Sequence, residues 1–516
     1  MAERLEDMMA SRRKRLQSLI DHKIDPYPST TEQTHTIAEA LKDFDALVEV
    51  ATASTTPTPG APTGGAANAT TTNSKPGTPI TLVGRIRSLR DMGKVVFCHI
   101  DDGTGRIQIL LKSDEVGQDQ LKFFLSHFDG GDFIEASGVL FTTRTGEKTL
   151  RAKTFRMLAK ALRPIPAEHY KIANEDTRLR KRYLDILLNP EIKDLFVKKA
   201  AFWNATREFL NKQGFLEMQM PILESIPGGA EAEPFITHHK ALDRDLYLRI
   251  SLELPLKKML VAGYPKVYEI GRIFRNEGID REHLQDYTAM EWYWAYADFN
   301  ELMKFTQKLY RHIIKKTFGT LQLKYQGETI DWGAPWPKLD YFKLFKKYTG
   351  LNLNKASEDD LKKYAAAQSI KFEPSAGKGR IIDLIFKKKI RGLPEISMQP
   401  HFLINQPIEI EPLAKKDPKN PRVVQRMQIL ACGSEMGKGF AELNDPIDQM
   451  QRFEAQMKLR QQGDTEAQML DKDFMEAMEY GMPPAAGFGM SERNFAIFND
   501  KSVRETVVFP PMKDAE

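Results

Sequence analysis

Cysteine is nearly absent. Cys98 and Cys432 are the two in 516 residues, far apart and outside any C-x-x-C spacing, which excludes a disulfide framework and a zinc knuckle. A reducing compartment suits such a chain, and a cytoplasmic location is expected. No apolar run reaches the ~18 residues of a membrane span. The charged start "MAERLEDMMASRRKRL" also lacks the apolar core of a secretion signal, so no membrane partner is expected. Neither sign of charge dominates: 75 basic against 70 acidic residues leave +5. That is too little for a polybasic coat, so no DNA partner is expected and any RNA contact must come from local patterning. Also missing are a G-x-x-x-x-G-K-[ST] loop and a dinucleotide fingerprint, so a nucleotide would have to be held by another device.

With 41% hydrophobic residues, the chain can bury two or three cores. Residues 1–50 read as a helical extension. In "ERLEDMMASRRKRLQSLIDH", Leu5, Met8, Met9, Leu16 and Leu19 form one apolar stripe, and the run Arg12 to Arg15 offers either a face to RNA or a plain solvated face. Residues 51–79 are almost free of charge and of large side chains, too poor in apolar surface to offset ordering, and are expected to be a flexible insert. Between 80 and 162, five short β-type runs with one helical stretch predict a small closed barrel of oligonucleotide-binding type. A linker at 163–190, read as helical and rich in Arg and Lys, leads to residues 191–516, where strand-like and helix-like stretches alternate without a βαβ rhythm. This predicts a large antiparallel sheet carrying helices, and the whole chain is of α+β class.

Several stretches carry chemistry. In the barrel, Phe97 and Gln108 on neighbouring strands, with Arg85, Arg87 and Arg90 upstream, are the residue types that stack on and edge-read a base, although a lone Phe in a strand is more often core. The hairpin around "FRNEGIDREHLQDY" offers Arg275 as a bidentate fork, Arg281 and His283 on a loop, and Tyr287 as a flat surface, with ordinary surface charge pairing as the equal alternative. "SIPGGAEAEPFITHH" lets backbone approach a ligand. Glu253 in "LRISLELPLKK", Glu291 and Tyr293 in "AMEWYWAYAD", and Glu435 and Glu442 in "GSEMGKGFAELNDP" set carboxylates on apolar walls, where they need cationic partners. A cationic amino acid and metal ions would supply them.

These motifs occur in an order that resembles the class II lysyl-tRNA synthetase family over essentially the whole chain, through "LQSLIDHKIDPYP", "RLRKRYLDILLN", "PGGAEAEPF", "FRNEG", "EPLAKK" and "AELNDPIDQMQRF". Aspartyl and asparaginyl relatives share the barrel and the FRNE hairpin, but "PGGAEAEPF", "MEWYWAYAD" and "AELNDP" look like the lysine branch. A non-charging, tRNA-binding paralogue is the other alternative, and the intact barrel argues against it. The resemblance implies ATP, L-lysine and tRNA(Lys) as partners, Mg2+ as cofactor and a homodimer formed through the motif containing Pro221. By motif match, Arg275 clamps the carboxylate and α-phosphate, Glu277 contacts adenine, His283 holds phosphate, Tyr287 stacks beneath adenine and Arg493 covers its other face. Gly229, Glu253 and Glu291 take the α-amino group, Glu442 and Tyr293 the ε-ammonium, and Phe440 lines the same pocket. Glu435 and Gln428 match magnesium positions, and Arg85, Phe97 and Gln108 match anticodon contacts.

Four positions depart from the family. Glu282 replaces an arginine that meets the γ-phosphate, with Arg281 beside it as a substitute. Gln428 replaces a glutamate, so it offers magnesium an oxygen without charge. Lys438 replaces an asparagine near the substrate. "GFGMSER" carries one extra residue before Glu492, which alters the approach of Arg493.

Overall fold

Alternation of buried and open residues builds the first of two compact units, residues 1–170 and 171–516. The computed structural model describes residues 2–48, 77–166, 172, 174–276, 278, 280, 282–373, 376–463 and 467–514. The expected flexible insert at 51–79 therefore falls almost wholly outside the described residues. The first unit comprises helix α1 (Ala2–Asp21), strands β1 (Ile80–Asp91), β2 (Val95–Asp101) and β3 (Arg106–Lys112), helix α2 (Gln118–His127), and strands β4 (Phe133–Thr142) and β5 (Lys148–Ala159). The strands close into a barrel in the order β1-β2-β3-β5-β4, with β3 and β5 parallel. On β2, Val96, Cys98 and Ile100 point inward and are fully buried, leaving Phe97 and His99 on the outer face. Helix α2 adds Leu121 and Phe124 to the same core. Closure needs a glycine at Gly138, because a Cβ there would lie 1.9 Å from the Arg151 carbonyl oxygen.

Helix α1 forms, but its apolar stripe is covered only in part: Leu19 is buried, Met9 and Leu16 are half-buried, and Leu5 and Met8 are exposed, while part of the basic run does not face solvent. Arg12 is buried and donates to the carbonyls of Ala161, Arg163 and Gly130, and Arg15 pairs with Asp129 at 2.6 Å. Beside it, the buried Lys160 ammonium bonds Asp129, Asp132 and the His127 carbonyl.

In the second unit, the connector carries helices at Glu175–Arg180 and Arg182–Leu188, in which Asp185 accepts from Arg178, Arg182 and Asn189. After helix α3 (Pro190–Lys212), the sheet strands are β6 (Leu216–Glu217), β7 (Lys266–Phe274), β8 (Asp286–Ala295), β9 (Lys338–Asp340), β10 (His401–Pro407), β11 (Val423–Ala431), β12 (Ser434–Ala441) and β13 (Ala485–Ser491). Their order is β9-β10-β11-β12-β13-β8-β7-β6, antiparallel except at the two edge pairs. Helix α4 (Glu253–Val261) precedes β7, and α5 (Phe299–Phe318) follows β8. Helix α5 starts in a capping box between Asp298 and Glu301 and stops at left-handed Gly319. Its apolar stripe, Leu302, Phe305, Leu309 and Ile313, packs in one core with Trp292 and Phe488 on one face of the sheet. Period-two alternation then leaves Glu291, Tyr293, Gly487 and Gly489 on the opposite face, which lines the cleft. No helix among the described residues is long and apolar enough to cross a membrane.

Candidate active site

Strand register sets the cleft floor. One row across β11, β12, β13 and β8 reads Gln428, Lys438, Gly489, Glu291, and the next reads Arg426, Phe440, Gly487, Tyr293. The strand that contributes Gly487 and Gly489 thus brings bare backbone to the middle of both rows. A Cβ on Gly487 would lie 2.3 Å from Glu442 Oε1 and 2.4 Å from the Tyr293 ring, so only glycine leaves those two side chains in place. The resulting cavity, about 160 Å³, is lined among others by Gly229, Glu253, Arg275, Tyr287, Glu435 and Arg493. Gly229 has φ +83° and brings its backbone against Glu253 and Ser251, where a side chain would collide.

The acid end holds more negative than positive charge. Glu253 opens α4 and Lys257 lies one turn further on, so the two face each other. The Lys257 ammonium sits 2.6 Å from Glu253 Oε1 and 2.5 Å from Glu442 Oε2, while Glu442 Oε1 is buried with no hydrogen-bond partner. Burial pushes Glu253 up to about 7 against the pull of Lys257, and pushes Glu442 well above the carboxylate range. Burial also opposes charge on Lys257, yet the two carboxylates outweigh it and hold its pKa above the ordinary lysine value. Glu291 accepts three hydrogen bonds, Oε1 from Ser251 and the Leu252 amide and Oε2 from the Tyr293 hydroxyl, which leaves Oε2 room for one more donor. With its proton committed to Glu291, the Tyr293 oxygen keeps its lone pairs for an ammonium.

At the other end, Arg275, Tyr287, Ser491 and Arg493 also line a second recess of about 110 Å³, together with Glu282 and His283. The Arg275 guanidinium stands 5.7 Å over the Tyr287 ring and donates to the Ile250 carbonyl. His283 Nδ1 contacts the Asp280 carboxylate. Glu282 accepts from Ser434 and lies 3.6 Å from Arg493, which itself donates to the Glu435 carbonyl. Glu277 and Arg281 lie outside the described residues. Burial raises the pKa of Glu435, but Arg426 and Arg493 outweigh this and hold it below the usual carboxylate value. Gln428 donates to Glu435 at 2.9 Å and accepts from Gln406. No group of three or more His, Cys, Asp or Glu among the described residues could hold a metal by itself. One carboxylate and one amide do match the small protein share of a magnesium ion carried mainly by phosphates and water.

Residues 174–513 match the family model of class II tRNA synthetases (D, K and N), and residues 80–158 match the OB-fold nucleic acid binding domain. The lysine–tRNA ligase of Pelotomaculum thermopropionicum is 40% identical across all of this chain and 96% of its own length. Those of Bacillus subtilis and Staphylococcus haemolyticus are 38% identical, covering 99% of this chain and 98% and 100% of theirs. This chain belongs to the lysine–tRNA ligase family.

In the family's OB-fold unit, Phe97 is half-buried on β2 with the Arg90 guanidinium 5.8 Å over its ring. Gln108 is diagonal to it on β3 and is held by Glu147 and Thr149. Arg85 stacks on Phe133 at 4.3 Å. In the synthetase unit, sequence reasoning missed Lys257, Ser251, Glu411 and the two floor glycines. Lys257 was legible as an i,i+4 partner of Glu253, and glycines two apart in "AAGFGMS" signal a strand that something approaches closely.

Proposed function

We propose that this protein activates L-lysine with ATP and transfers it to tRNA(Lys). The observation that carries the reading is the acid end of the cleft: Glu253 and Glu442 share a single ammonium, and Glu442 Oε1 has no partner. A second ammonium completes that group, whereas a neutral isostere leaves a buried acceptor unpaired, which rejects it strongly. An aspartyl substrate would add a third carboxylate to the same place.

In the first step a lysine carboxylate oxygen bonds to the α-phosphorus of ATP and the bond to the β-phosphate bridging oxygen breaks, releasing pyrophosphate. In the second, a terminal ribose hydroxyl of the tRNA attacks the activated carbonyl and AMP leaves. The protein's work is positioning and charge stabilisation. Arg275, at the junction of the two recesses, holds the reacting carboxylate and α-phosphate. Tyr287 and Arg493 sandwich the adenine contacted by Glu277, and His283 and Arg281 hold phosphate. Gly229, Glu253 and Glu291 receive the α-amino group, and Tyr293 and Glu442 the ε-ammonium, with Phe440 along the aliphatic chain. Glu435 and Gln428 would hold the Mg2+ that accompanies ATP, which neutralises phosphate charge when bound.

Phe97, Gln108 and Arg85 are proposed to take the anticodon. A homodimer through the Pro221 segment is supported by the exposed apolar side chains Leu216, Ile222, Leu223 and Ile236 around it. The test is pyrophosphate exchange with each of the twenty amino acids, ATP and magnesium. Lysine alone should support rapid exchange; exchange driven equally by aspartate or asparagine, or none with lysine, refutes the proposal.

A further inference from the structure

We infer that Lys438 grips the α-carboxylate of the amino acid from the side opposite Glu291, as a second cation beside Arg275, a specificity contact that rests on the lysine-activating reading above. Lys438 and Glu291 occupy the same floor row on strands flanking Gly489. Neighbouring strands lie about 4.8 Å apart, so the two backbones stand roughly 9.6 Å apart with bare glycine between them. That gap fits one ammonium–Cα–carboxylate unit, with the anion Glu291 on its amino side and the cation Lys438 on its carboxylate side.

The long axis of the ligand agrees. The ε end belongs over Gly487, where the Glu442 oxygen hangs. Gly487 is two residues from Gly489 along the strand, about 6.8 Å, comparable with the roughly 6 Å of an extended lysine side chain from Cα to its terminal nitrogen. Placing the ε-ammonium at Glu442 therefore puts the α-carbon over Gly489, beside Lys438.

Charge balance points the same way. At the acid end, two carboxylates share one ammonium. Around Lys438 the arrangement is inverted, because the buried carboxylate of Glu411 is shared by two cations: Lys438 at 3.2 Å and Arg426 at 3.3 Å. Arg426 also serves Glu435, which it helps hold below the usual carboxylate value, so the pull on an incoming anion rests with Lys438. Lys438 is the member with freedom to deliver it, since its side chain is 37% exposed and lines the cavity, whereas that of Arg426 is 7% exposed. Glu411 acts as a positioning residue that fixes the ammonium. The carboxylate oxygen left off phosphorus during activation stays on Lys438 while the other bonds to the α-phosphate.

Calorimetric titration of the full-length protein, without ATP, tests this with L-lysine and with L-lysinamide, which has both amino groups but no carboxylate. In wild type, lysine should bind at least tenfold tighter than lysinamide. In Lys438→Met and Lys438→Gln, the Kd for lysine should rise 10- to 100-fold, while that for lysinamide changes less than twofold. Lys438→Arg, which keeps the charge, should retain most of the preference for lysine. Unchanged lysine binding in Met and Gln variants overturns the inference, as does an equal loss of both ligands, which would mark Lys438 as merely structural. An effect confined to an unhydrolysable ATP analogue also overturns it by assigning Lys438 to phosphate. Failure of wild type to bind lysine at all would instead sink the lysine-activating reading itself.

Discussion

Replacing Glu442 with Gln should abolish tight lysine binding without destabilising the ligand-free fold. In the free protein, Glu253 and Glu442 compete for the Lys257 ammonium, and burial holds the pair's titration high, with Glu253 at about 7 against an ordinary 4.5. The pair titrates as a unit. It retains a proton up to near-neutral pH, and ionising it without substrate costs about 3 kcal/mol at 1.36 kcal/mol per unit. The sign follows from the raised value: the folded chain binds a proton that the unfolded chain releases between 4.5 and about 7. The pair's contribution to stability is thus present below 4.5 and lost as pH rises through about 7. Lysine reverses this by supplying the second ammonium and expelling the proton, so Kd should fall tenfold per pH unit from pH 5 to about 7 and then level off. Glu442→Gln leaves a neutral Lys257–Glu253 pair with no charge for the ligand. The loss of a buried charge partner, about 2–5 kcal/mol, predicts a Kd raised roughly 30- to 5,000-fold. Calorimetry in two buffers of different ionisation enthalpy should show about one proton released near pH 6 in wild type and none in the variant, and the ligand-free Tm near pH 8 should be unchanged or higher. Lysine bound within threefold of wild type, or an unaltered pH slope, would refute the reasoning.

Gly487→Ala places a methyl 2.3 Å from Glu442 Oε1, so lysine Kd should rise more than 100-fold while binding of an ATP analogue holds. Tyr287→Ala removes the ring beneath Arg275; at about 1–3 kcal/mol for a stacked base, KM for ATP should rise about tenfold or more in pyrophosphate exchange, with lysine Kd unchanged. Phe97→Ala should lower kcat/KM for tRNA charging about tenfold and leave lysine-dependent exchange intact, which separates the barrel from the chemistry. Lys160→Met leaves the buried Asp132 without its cation, and denaturant titration of the full chain should show the first unit weakened by about 3–5 kcal/mol.

The fold was legible wherever one face is wet and the other dry. Alternation marked the five barrel strands, and a 3.6-residue stripe marked α1. Pairing was less legible: nothing local dictates that β3 runs parallel to β5, because that contact joins residues some 40 apart. Arg12 shows another limit. A charged run reads as solvated, yet three backbone carbonyls from the barrel's far loops satisfy its guanidinium and draw it inward. The connector at 163–190 was legible as helical, but what holds it together was not: Asp185 collects three donors, a polar core that hydrophobic periodicity does not register.

The cleft shows why site residues were easier to name than to connect. Each carboxylate was conspicuous alone, as an acid in an apolar run. What decides its chemistry is the neighbour brought by the fold: Lys257 reaches Glu253 from one helical turn away, but Glu442 joins them from just past β12, 185 positions beyond Lys257. Only with all three in contact does the count fall one cation short. Register does the same at Glu411, where Arg426 and Lys438 arrive on adjacent strands. A ligand with ammonium groups at both ends of a chain and a carboxylate at one of them supplies the missing cation and sets its carboxylate beside Lys438. Shortening that chain by a methylene, as in ornithine, would pull the terminal ammonium about 1.3 Å from Glu442 Oε1 while the carboxylate stayed on Lys438. Ornithine should therefore bind at least tenfold more weakly than lysine, and the Glu442→Gln substitution should erase most of that difference. If the variant still discriminates as wild type does, the length of the slot is measured by something other than its two charged ends.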